Sequence, residues 1–185
     1  MSVLTRPLTH TDLAQFPDDG KRYEIIEGEL YVAAAPVRWH QKLLLRIYRT
    51  LYAAAEEFGW GEVYTAPVDV KFGDTTVVQP DLLVIRQDLL HHYRGNTMYA
   101  PPDLVVEVLS PSNRAYDETI KARAYAAAGV PELLLGDPER LTLRLFVLLN
   151  SEYVLVEPDA NGRLHSTIVP GLIFDPAVLL ARLHD

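Results

Sequence analysis

The chain is 185 residues long, 49% hydrophobic and 23% charged, which is enough for one domain with a sizeable core. It has no cysteine, and this excludes disulfides, thiolate metal sites and cysteine nucleophiles. A net charge of −8, taken alone, argues against a nucleic-acid binder, since such chains are usually basic.

The first ten residues, MSVLTRPLTH, lack the apolar core of a signal peptide. No apolar run approaches the ~18 residues of a membrane span, so the expectation is a cytoplasmic protein without a membrane segment. LTHTDLAQFP predicts a short helix capped by Thr9 or Thr11. RYEIIEGELYVA reads as a hairpin turning at Gly28. In VRWHQKLLLRIYRTLYAAAEEFG, Leu43, Leu44, Ile47 and Leu51 recur at helical spacing, and Gly59 marks the stop. EVYTAPVDVKF alternates near its end, with Val68, Val70 and Phe72 on one face. DLLVIR and DLVVEVLS are apolar on both faces, as central strands are, with a loop and one helical turn between them. SNRAYDETIKARAYAAAG predicts a second helix, capped near Ser112 or Asn113 and ended by Gly129. PELLLGD is a further strand, and LTLRLFVLL and EYVLVEP form a hairpin around Asn150-Ser151. RLHSTIV adds a short strand and PAVLLARL a closing helix. The sum is a mixed central β-sheet flanked by helices, an α/β (α+β) fold. No repeat or long linker divides it.

Two acids stand out. Asp81 follows Pro80 inside the apolar run VVQPDLLVI, and Glu107 lies in PDLVVEVLSPS. Strand alternation puts Leu104, Val106 and Val108 on one face and Val105, Glu107 and Leu109 on the other. An unpaired buried carboxylate costs several kcal/mol or takes up a proton, and two on adjacent strands repel each other. A Mg²⁺ ion, which prefers carboxylate oxygens and water, resolves both problems; capping by backbone N–H groups or an arginine is the alternative. Asp117, Lys121 and Tyr125 follow at i, i+4 and i+8 on the next helix. Asp117 and Lys121 form either an exposed ion pair or part of a site to which the helix brings Lys121.

The ordered series YEIIEGEL, VDV, VVQPDLLVI, EVLSPS, DETIKARAYAAAGVPE and DPER resembles the Uma-type restriction endonuclease family of the PD-(D/E)XK nuclease superfamily. The resemblance covers roughly residues 20 to 150. It implies a restriction-endonuclease-like core, read here as a single nuclease-like domain over residues 1–185. It also implies a Mg²⁺-dependent (or Mn²⁺-dependent) endonuclease acting on DNA, in many relatives as a homodimer. By the same resemblance Asp81 is the metal-binding acid after proline, Glu107 the second acid and the Val108 carbonyl a backbone ligand. Glu24 is a further acidic member or an ordinary exposed strand residue. The superfamily expects a lysine two residues after the second acid, where this chain has Leu109; Lys121 on the following helix is the matching position. In this scheme Asp81, Glu107 and Lys121 are the catalytic set. The rival is a non-catalytic DNA-binding or assembly module that keeps the scaffold.

Between Glu29 and Glu56 there is no acid, while Arg38, Lys42, Arg46 and Arg49 fall three or four residues apart on one helix. This basic stripe is either a solvated face or a DNA-phosphate contact, since backbone binding is mainly electrostatic. His40 opens the same helix in a structural role or near the site. There is no P-loop, dinucleotide fingerprint or G-x-S-x-G elbow.

Overall fold

The computed structural model describes residues 6–17, 19–33, 37–111 and 114–185. The cap expected at Ser112 or Asn113 lies outside them. In chain order the elements are α1 (His10–Leu13), the hairpin β1 (Arg22–Ile26) and β2 (Glu29–Ala33), the long helix α2 (Arg38–Ala55), β3 (Gly61–Thr65), β4 (Asp69–Lys71), β5 (Val77–Val78) and β6 (Leu82–Arg86). A 3₁₀ turn (Gln87–His92), β7 (Tyr93–Arg94) and β8 (Thr97–Met98) follow, then β9 (Leu104–Val108). A wide π-type turn (Tyr116–Lys121) runs into α3 (Ala122–Ala128). The chain closes with β10 (Glu132–Asp137), β11 (Thr142–Leu149), β12 (Glu152–Leu155), β13 (Leu164–His165), β14 (Ile173–Phe174) and α4 (Pro176–Leu179). Thr9 caps α1: its N–H donates to the Asp12 carboxylate at 2.8 Å. Gly28 turns the first hairpin at φ +82°, and a Cβ there would lie 2.5 Å from the Pro7 side chain. The stretch expected as a loop after β6 holds β7 and β8, and β5 and β14 add two strands the sequence did not suggest.

The main sheet has the order β12-β11-β10-β9-β6-β3. Strands β3, β6 and β9 form an antiparallel meander. β9 and β10 are parallel and joined through the π-type turn and α3, because a parallel pair needs a crossover. Helix α2 covers one face, where Leu43, Ile47 and Leu51 pack on Leu82, Val84, Leu104, Val106 and Leu134. On the other face Leu83, Ile85, Val105 and Leu109, together with Tyr125 of α3, cluster with Val68 and with Val70, Val78 and Met98 of the second sheet, ordered β2-β1-β5-β4-β8-β7. Each such side chain contributes about 1.5–3 kcal/mol by leaving water. The alternation expected along β9 holds: Val106 and Val108 face α2, Val105 and Leu109 the second sheet. The layer between the two sheets, at one end of β6 and β9, is where the acids meet.

Candidate active site

Asp81 sits one residue before β6. The β6–β9 register pairs Leu82 with Val106 and Leu83 with Val105, so one further step places Asp81 opposite Glu107. Asp81 thus stands at the entry of the strand beside that of Glu107, close enough for its charge to act on Glu107, and both acids are buried. The Val108 N–H donates to Asp81 Oδ2 at 2.8 Å. His40, in the first turn of α2, brings Nε2 to 3.0 Å from the same oxygen. Arg22 of β1 brings Nη1 to 2.6 Å from Asp81 Oδ1.

Glu24 lies two residues beyond Arg22 on β1, on the same side. The sequence left it open as an exposed strand residue, but it is buried. Its Oε1 accepts the Gln79 N–H at 2.6 Å and the Lys121 ammonium at 2.9 Å; its Oε2 accepts the Tyr116 hydroxyl at 3.1 Å. Lys121 also reaches Glu107 Oε1 at 2.6 Å, and the Tyr125 hydroxyl donates to that oxygen. Lys121 thus turns inward and bridges two carboxylates, rather than forming the exposed pair with Asp117 that the sequence equally allowed. Leu109, at the position where the superfamily expects lysine, is packed in the core. The ammonium comes instead from the π-type turn, a device that recurs at functional sites. That turn buries Asp117 and Lys121, and Tyr125 follows one helical step on.

Four buried acids (Glu24, Asp81, Glu107, Asp117) face two cations, Arg22 and Lys121. Burial, reinforced by the neighbouring acids against Lys121, pushes the Glu107 carboxyl up to about 8. Burial does the same to Asp117, up to about 7. For Asp81 the burial effect is outweighed by the His40 hydrogen bond and the nearby Arg22 and Lys121, and its carboxyl is held well below the usual range. Burial alone would lower Lys121, but Glu107, Glu24 and Asp117 together hold it protonated well above an ordinary lysine. The raised values of Glu107 and Asp117 are the response of crowded carboxyl groups to a low-dielectric setting. Arg22, Tyr116 and the inward Asp117 are members that sequence reasoning did not place. His40 belongs to the site as well as to the packing, and its Nδ1 is buried without a hydrogen-bond partner.

A family model described as "Uma2: Putative restriction endonuclease" matches residues 10–177. The chain belongs to this family. Its membership gives a nuclease-like assignment. No curated protein sequence matches the chain. Among solved structures it is similar to a "putative nuclease belonging to DUF820" from Anabaena variabilis ATCC 29413. That match has a TM-score of 0.80 at 20% identity and covers 96% of this chain and 99% of that one. At this identity the likeness shows the fold. A second match, at TM-score 0.42 and 13% identity, is the type IIG restriction endonuclease BpuSI, covering 65% of this chain and 13% of that one.

The basic stripe divides. Lys42 Nζ donates to the Arg182 carbonyl at 2.8 Å and the Leu183 carbonyl at 3.2 Å. Arg46 Nη1 donates to the carbonyls of Leu179 and Ala181 at 2.8 and 2.7 Å. These two hold the C-terminal segment against α2. Arg38 lies over the Trp39 ring at 3.7 Å, and Arg38 and Arg49 are exposed. Among the described residues no helix is long and apolar enough to cross a membrane.

Proposed function

We propose that this chain is a Mg²⁺- or Mn²⁺-dependent endonuclease that hydrolyses DNA phosphodiester bonds at the Asp81–Glu107–Lys121 site. The observation that carries the reading is Lys121 at 2.6 Å from Glu107 and 2.9 Å from Glu24, beside Asp81 in one buried layer. The donor set fits a hard divalent cation, because it is made of crowded carboxyl oxygens with no thiolate or histidine cluster among the described residues to compete. Among the described residues no three His, Cys, Asp or Glu side chains are grouped as a ready-made cage. Mg²⁺ does not need one: it is commonly held by one or two carboxylates together with waters and substrate phosphate. Asp81, Glu107 and the Val108 carbonyl would hold the ion, with Glu24 at its edge, and when bound it neutralises phosphate charge and activates a water.

The chain's own residues supply the rest. Val108 N–H and His40 fix the Asp81 carboxylate, so that its orientation does not depend on the substrate. Arg22, partly exposed and bonded to Asp81 Oδ1, can turn to a substrate phosphate when that oxygen is taken by an ion. Lys121 stays charged and can stabilise the negative charge that develops on the phosphate oxygens. Tyr125 and Tyr116 hold Glu107 and Glu24 at the distances that keep Lys121 between them.

One observation favours a non-catalytic scaffold: both Asp81 oxygens already accept hydrogen bonds from the protein. The two readings separate in a cleavage assay on plasmid and linear DNA with Mg²⁺, Mn²⁺ or Ca²⁺, with Asp81→Ala purified in parallel. The proposal expects cutting with Mg²⁺ and Mn²⁺, none with Ca²⁺, and loss in the variant. Equal cutting by both proteins would mark a contaminant. No cutting, together with no Mg²⁺ binding by calorimetry, would favour the scaffold.

A further inference from the structure

Beside the acid layer lies a separate open cavity of about 430 Å³, within the size range of small-ligand sites. Gln79 joins the two. Its backbone N–H and carbonyl face the acids, donating to Glu24 at 2.6 Å and accepting from Lys121 at 3.5 Å. Its side chain lines the cavity, with the amide Nε2 donating to Asp69 Oδ1 at 2.8 Å. The lining also includes Phe16 and Tyr23, stacked with ring centroids 5.0 Å apart and an interplanar angle of 11°. Lys21 lines it too, its ammonium paired with Asp19 at 2.7 Å. The cavity therefore combines an aromatic pair with an amide–carboxylate pair whose remaining oxygens are acceptors.

We propose that this cavity receives one unpaired nucleobase of the substrate strand, next to the phosphate held at the acid layer. The proposal deepens the nuclease reading and rests on it for the position of that phosphate. Two features fit a base better than another planar ligand. The aromatic pair offers a π-surface, which every base can use. Gln79 and Asp69 offer acceptors to an exocyclic amino group, which adenine, cytosine and guanine carry and thymine lacks. A base in a continuous duplex cannot enter without leaving the stack, so the cavity selects single-stranded, frayed or mismatched DNA.

The test is fluorescence anisotropy with labelled ten-nucleotide single strands of dA, dC or dT, and a perfectly paired duplex, in EDTA. Wild type is compared with Phe16→Ala and Gln79→Ala, each checked by melting temperature. The expected result is that Phe16→Ala weakens dA and dC binding roughly 5- to 150-fold, as loss of one stacking partner does, and leaves duplex binding unchanged. Gln79→Ala should narrow the preference of wild type for dA and dC over dT. Wild-type affinity for dA and dC in a folded Phe16→Ala protein would overturn the subsite, as would equal loss on duplex and single strands. Absence of single-strand binding by wild type would also overturn it, even if the protein cuts duplex DNA. Phe16-dependent binding in a protein that never cuts would keep the subsite and sink the nuclease reading instead.

Discussion

Replacing Lys121 with methionine removes the one cation that bridges Glu24 and Glu107 while keeping most of the side chain's volume. The lysine is buried, as are both partners, at 2.9 and 2.6 Å. Breaking a buried pair by deleting one member costs about 3–5 kcal/mol, because the remaining charge has no compensation. For a chain of this size each kcal/mol moves the melting temperature by about 2–4 °C, so Lys121→Met in EDTA should melt about 6–20 °C lower than wild type. The double variant Lys121→Met/Glu24→Gln removes the Glu24 carboxylate that Lys121 had held and should recover part of that loss. Mg²⁺ should stabilise Lys121→Met more than wild type, since a divalent cation then supplies the missing charge. The assay is differential scanning calorimetry of the three proteins with and without Mg²⁺. A single variant that melts within about 2 °C of wild type, or a double variant no better than the single, would refute the charge-compensation argument.

Tyr125→Phe removes a buried hydroxyl donor to Glu107 and should cost about 1–3 kcal/mol in denaturant unfolding; no measurable loss would mean another donor replaces it. Arg46→Ala should lower stability, because it strips two donors from the Leu179 and Ala181 carbonyls, whereas the exposed Arg38→Glu and Arg49→Glu should stay within about 0.5 kcal/mol of wild type. The two reversals should instead reduce the log–log salt slope of DNA binding by about one unit per lost phosphate contact; an unchanged slope would leave the stripe a solvated face. Asp159 is held at about 2 by the His165 side chain and by the N–H groups of Arg163 and Asn161, against an ordinary 3.8. A depressed carboxylate stabilises the fold above its unfolded value, and that contribution is lost as pH falls from 3.8 towards about 2. Carboxyl NMR titration should show Asp159 ionised below pH 3.8, and His165→Ala should move its midpoint up.

The fold was legible where the sequence carried a period over several residues. The alternation of Leu104 to Leu109 placed Glu107 on the correct face of β9, and Pro80 followed by Asp81 marked the strand entry. The two-residue strands β5 and β14 were not legible, because two residues show no period. Asp81 and Glu107 could be paired from strand parity alone. Arg22 and His40 could not, since they reach Asp81 from 59 and 41 residues away and nothing local marks the contact. The stripe on α2 was visible as a spacing, but not that chain 133 to 141 residues later would return its carbonyls to Lys42 and Arg46. Lys121 was placed by resemblance; its inward turn depends on the π-type geometry of residues 116–121, which a regular helical reading does not contain.

The central claim is that the buried acids hold a divalent cation. A crystal of the protein soaked in Mn²⁺ and measured at the manganese edge tests it most directly. The account predicts one anomalous peak in contact with both Asp81 and Glu107, with Arg22 withdrawn from Asp81 Oδ1, and no such peak in Asp81→Asn. An undisturbed Arg22–Asp81 pair with Lys121 still bridging Glu24 and Glu107, and no peak beside them at saturating Mn²⁺, would contradict it.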